Sequence, residues 1–145
     1  MSHALLASLH YLGAMVLMAC LVAEHLLISS EMDRRTVGLL ARIDLVYGIT
    51  AGLQIGSGLL RLFAEKGSAF YLHSPFFHIK MTVFVLLGLL SIYPTLRFLA
   101  WRRAASSAER IRPTEGKRVL MLVRVELLLL IALPVLASLM ARGLG

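Results

Sequence analysis

The chain has 145 residues, 59% of them hydrophobic and only 16% charged, against roughly 25% charged in an ordinary soluble domain, and its mean hydropathy is +0.82. That balance excludes disorder, a basic nucleic-acid arm and an ordinary soluble enzyme, and the length suits one domain rather than two separate cores. The net charge of +7 falls mainly between apolar runs, where a membrane protein keeps its cytoplasmic charge. Cys20 stands alone, so an intrachain disulfide and a CxxC metal site are both ruled out, and it reads as a small buried residue.

Four apolar stretches, at about 4–28, 43–62, 76–99 and 119–141, are each long enough to cross a bilayer core of about 30 Å. They are rich in Leu, Val and Ala without strand-like alternation. Backbone groups in lipid must be satisfied within their own segment, so the expected fold is an all-α integral membrane four-helix bundle, one four-span domain over 1–145. The first stretch lacks the basic flank of a signal peptide and reads as a retained helix. Ten Lys and Arg residues fall in the first and third loops or at their edges, and three lie toward the other side (Arg61, Lys66 and Arg142). That asymmetry predicts both termini outside, on the periplasmic side of a bacterial inner membrane. The third loop, with Ser106, Ser107, Pro113 and Gly116, reads as a tether with a basic patch for lipid headgroups.

An ionisable group within a span costs several kcal/mol unless it is paired or lines a cavity, so the polar residues inside the spans carry the functional argument. An outer layer holds His10, about 9 Å into the first helix, and Lys80, about 6 Å into the third, with His78, His73 and Arg61 around them. At 100° per residue, His10, Gly13, Ala14, Leu17, Leu21, Glu24 and His25 share one broad face. Lys80, Phe84, Leu87, Gly88, Ser91 and Thr95 share another, with His78 about 200° from Lys80. An inner layer holds Glu24, His25, Arg42, Asp44, Arg97, Arg124 and Glu126. Its default reading is an interhelical salt-bridge lattice, and its alternatives are a proton path or a headgroup site. Gly48, Gly52 and Gly56 in the second span predict close helix packing, or room for a flat ligand. Tyr47 and Gln54 are isolated polar groups there, and the seven Met residues are scattered and read as packing.

Two function classes follow. In one, His10 is the imidazole ligand of a b-type haem, with Arg61 or Lys80 pairing its propionates or Lys80 as the opposite axial partner. In the other, the chain is a small oligomeric transporter or channel subunit lined by these polar groups, or a structural membrane protein without cofactor. No GxSxG, P-loop or dinucleotide fingerprint is present.

The motifs LHYLG (9–13), FFHIK (76–80) and RVELLLL (124–130) resemble the HemJ-type protoporphyrinogen IX oxidases, four-helix membrane proteins that bind haem b. The resemblance implies His10 as haem ligand, Lys80 as the second functional residue and His78 as the other histidine of the motif. It also implies oxidation of a tetrapyrrole or similar reductant, with electrons passed to membrane quinone. Over nearly the whole chain, RIDLVYG, LLRLF, FYLHSPFFHIK, YPTLRFLAWRRA and the ARGLG ending resemble an uncharacterised family of small bacterial predicted membrane proteins.

Overall fold

The computed structural model describes residues 3–61 and 75–142. Among them the order is α1 (His3–Leu27), β1 (Met32–Asp33), α2 (Arg34–Arg61), α3 (Pro75–Ala105), β2 (Arg110–Ile111) and α4 (Gly116–Ala141). The shortest helix, α1, has 25 residues and the longest, α3, has 31, about 38 and 46 Å at 1.5 Å per residue. All four are long and apolar enough to cross a membrane. They form an up-down-up-down ring in which α1 lies mainly on α2 and α3 mainly on α4, closed by α2 on α3 and α1 on α4.

Each expected span lies almost wholly within one helix, but two helices run well past the expected boundary. The second begins at Arg34 rather than near residue 43, and the third continues to Ala105 rather than stopping near 99. Asp33 explains the early start. Its Oδ1 accepts the Thr36 N–H at 2.8 Å, satisfying one of the unpaired donors of a helix N-terminus. Hydrogen bonds from Thr36, with Arg110 and Arg35 nearby, hold the Asp33 carboxyl below its ordinary value.

The end of the bundle that carries β1 and β2 is termed the base. There β1 pairs antiparallel with β2, Met32 opposite Ile111 and Asp33 opposite Arg110. Arg34 donates from Nε to the Ala105 carbonyl at 2.9 Å, and its own backbone N–H reaches the Glu109 carbonyl at 3.1 Å. Trp101, two residues past the expected end of the third span, sits in α3 and is almost fully buried. It stands edge-on to Phe98, with ring centroids 5.5 Å apart, and its Nε1 donates to the Thr114 carbonyl at 3.0 Å. Met32, Val37, Leu40, Val119 and Val123 complete this core. Toward the other end the exposed side chains are large and apolar, among them Leu12, Met15, Leu53, Leu89 and Leu128. In hydrocarbon these surfaces are the solvated ones.

Candidate functional site

Among the described residues, the three acids of the inner layer are the buried charged side chains of the bundle. Glu24 of α1 and Glu126 of α4 are each 1% exposed, and Asp44 of α2 is 8% exposed. Glu24 and Asp44 come within side-chain hydrogen-bonding reach of each other, and Glu126 within reach of Tyr47. Thr95 of α3 donates to Asp44 Oδ2 at 2.6 Å, and its hydroxyl also stands 2.9 Å from the Ser91 carbonyl. All four helices therefore contribute to one cluster. Pro94, buried beside Thr95, leaves α3 without one ladder donor at this level.

The expected salt-bridge lattice is not there. Among the described residues, no ion pair joins Arg42, Arg97 or Arg124 to Glu24, Asp44 or Glu126. The reason is helical phase. Arg42 and Asp44, Arg97 and Thr95, and Arg124 and Glu126 are each two residues apart, so each pair is about 200° apart around its helix and about 3 Å apart in depth. The acids and Thr95 turn into the bundle while the arginines turn away. Arg97 donates to Thr114 Oγ1 at 3.3 Å, and Arg124 Nε donates to His25 Nε2 at 3.1 Å.

In the outer layer, His10 is half-buried and its Nδ1 lies 2.8 Å from Ser57 Oγ across the α1–α2 interface. A Cβ added at Gly58 would stand 3.5 Å from His10 Cε1. Gly13 does make room, but for Gln54 of α2, whose side-chain amide fills the notch. Gly48, Gly52 and Gly56 do not line the interior as expected: added Cβ atoms there would meet nothing within 4 Å, and all three are exposed. Lys80 is half-buried on α3, whereas His78 is exposed, with its carbonyl accepting the Thr82 hydroxyl at 2.9 Å. His73 lies outside the described residues, as does the Arg61 side chain.

The two layers are connected by a feature that the isolated polar residues of the second span did not announce. Asp44, Tyr47, Thr50, Gln54 and Ser57 recur at steps of three and four, which places them along one side of α2. The first four are at most 8% exposed and Ser57 is half-buried. This polar face runs over fourteen residues, thirteen steps or about 20 Å, from the carboxyl cluster to His10.

A family profile described as "Predicted membrane protein (DUF2214)" matches residues 2–145, nearly the whole chain. The protein belongs to this family. It is a membrane protein with four apolar helices, and contact with the lipid bilayer follows from their surfaces. Neither a protein of curated function nor a solved structure matches the chain.

Proposed function

We propose that this chain is a haem b-binding redox protein of the bacterial cytoplasmic membrane, with His10 as an axial ligand. The observation that carries the reading is the 2.8 Å contact between His10 Nδ1 and Ser57 Oγ. A metal-ligating histidine usually holds its other ring nitrogen in a hydrogen bond, which fixes the tautomer and ring plane. With Ser57 in that role, the His10 imidazole would hold the group. Support for the group lies in this one imidazole, while the outward-facing Gly48, Gly52 and Gly56 contribute no slot inside the bundle.

Bound haem would supply one-electron chemistry, and the protein the orientation and electrostatics. Lys80, half-buried on α3, would pair a propionate, move protons or serve as the second axial ligand, and Arg61 would pair a propionate. His78 is the weakest member of the motif, because its side chain is exposed. The reductant would be a tetrapyrrole or a similar molecule, with membrane quinone as the electron acceptor. The open glycine face of α2 offers a second copy the close approach that small-residue motifs permit. The basic asymmetry of the loops orients the base toward the cytoplasm.

The test is the absorption of the protein purified in mild detergent after expression with adequate haem supply. The reading expects a Soret band with reducible α and β bands. Lys80→Met should keep haem at weaker affinity if Lys80 pairs a propionate, and should also shift the reduced spectrum if Lys80 is axial. A folded protein with no Soret band moves the transporter or structural reading ahead. Orientation is read separately, with single cysteines at positions 68 and 107 in a Cys20→Ala background. An impermeant reagent applied to intact cells should label position 68, and labelling of 107 alone would reverse the topology.

A further inference from the structure

We propose that Glu24, Asp44 and Glu126 form a proton-binding site in the base half of the bundle, reached along the polar face of α2 from His10. The cluster is short of hydrogens. Among the described residues, its six carboxyl oxygens meet two hydroxyl donors, on Thr95 and Tyr47. Glu24 Oε1 and Glu126 Oε1 are buried and receive no hydrogen bond from the described residues. Glu24 and Asp44 lie within reach of each other, and two carboxyls hydrogen-bond only when one of them carries a proton. Thr95 poses the same count. Its single hydrogen faces Asp44 Oδ2 at 2.6 Å and the Ser91 carbonyl at 2.9 Å. A proton on Asp44 lets that carboxyl donate to Thr95 and Thr95 donate onward to Ser91.

The groups facing the cluster leave the proton as the matching cation. On α1 they are Glu24 and Cys20, on α2 Asp44 and Tyr47, and on α4 Glu126, while α3 presents the hydroxyl of Thr95. No described Lys or Arg pairs with any of the three acids. A bound metal ion is disfavoured, because among the described residues no three His, Cys, Asp or Glu side chains converge on a common point. A proton needs one oxygen at a time. In the binding step a hydronium ion gives its proton to a carboxylate oxygen, an O–H bond forms, water is released and no electron moves. Tyr47, Thr50, Gln54 and Ser57 offer hydroxyl and amide groups at helical steps between this site and His10.

The experiment is infrared spectroscopy of the purified protein in lipid nanodiscs across a pH series, in normal and heavy water, without bound haem, so that failure of the haem reading leaves it intact. The proposal expects a C=O band of protonated carboxyl at neutral pH, shifted by deuterium. The band should be lost in Glu24→Gln or Asp44→Asn and unchanged in Glu31→Gln, at an exposed position beyond α1. Thr50→Val should slow deuterium uptake at that band severalfold. Absence of the band from wild type at neutral pH overturns the site, whether or not the variants fold. So does a band that survives in both Glu24→Gln and Asp44→Asn, or one abolished by exchanging potassium for sodium, which would mark a sodium site. Deuterium uptake at the wild-type rate in Thr50→Val overturns the route along α2.

Discussion

Replacing Thr95 with valine isolates one interaction of the inner cluster. The substitution keeps the branched shape, exchanges a hydroxyl for a methyl, and deletes the hydrogen-bond partner 2.6 Å from Asp44 Oδ2. Asp44 is 8% exposed, so bulk water does not replace that hydroxyl. Leaving a buried polar group without its hydrogen-bond partner costs about 1–3 kcal/mol, whereas a valine facing lipid would cost nearly nothing. The folding equilibrium should therefore fall by about fivefold to a hundredfold. Thr95→Ser retains the hydroxyl and should lie close to wild type. Combining Thr95→Val with Asp44→Asn should cost less than the two single changes together, with a coupling of about 0.5–3 kcal/mol. The assay is reversible unfolding in mixed micelles of rising denaturing-detergent fraction, read by tryptophan fluorescence. A Thr95→Val protein as stable as wild type, or strictly additive single and double variants, would refute the cluster geometry.

Three further outcomes follow from other parts of the bundle. Gly13→Ala places a methyl against the Gln54 amide, whose Cδ lies 2.8 Å from the added atom; overpacking of this kind costs about 1–3 kcal/mol, and adding Gln54→Ser should restore most of it in the same unfolding assay. Trp101, the only tryptophan, should emit at short wavelength and resist a soluble quencher, and a red-shifted, quenchable emission from folded protein would contradict its burial at the base. Asp33→Ala should lower stability at neutral pH. Because the folded Asp33 carboxyl sits below its ordinary value, its contribution is present above the unfolded carboxylate value and fades as pH falls through the folded one. Wild type and variant melting curves should then converge in acid, and a gap that stays constant down to low pH would sink the cap.

The four helices were legible because hydrocarbon imposes one simple requirement, a run of apolar residues long enough to cross it. Their ends were not, because outside the hydrocarbon that requirement lapses. The segment from Arg34 to Arg42 reads as a polar loop until Asp33 is recognised as a cap with Thr36 three residues on. The stretch from Ala100 to Ala105 looked like a tether because Arg102 and Arg103 flag polarity, while Trp101 beside them anchors the core. At the site, residue types and depths were legible but facing was only partly so. Arg42 beside Asp44, and Arg124 beside Glu126, looked like ion partners at equal depth. The step of two that separates each pair already placed them on opposite sides of the helix. Gly48, Gly52 and Gly56 show the limit of a spacing motif, since the same repeat serves an interior contact or an outer face. Tyr47 and Gln54 read as isolated until Thr50 and Ser57 are placed with them on one helical face.

The central functional claim is that His10 holds haem, and it is tested most directly by oxidised-minus-reduced spectra of His10→Ala and His25→Ala at equal amounts of folded protein. His25 lies fifteen residues further along α1, about 22 Å deeper, and engages Arg124 rather than Ser57. His10→Ala should lose the Soret band or change its spin state, while His25→Ala keeps the wild-type spectrum. An unchanged spectrum in His10→Ala together with loss in His25→Ala would move the cofactor to the base half of the bundle and contradict the assignment.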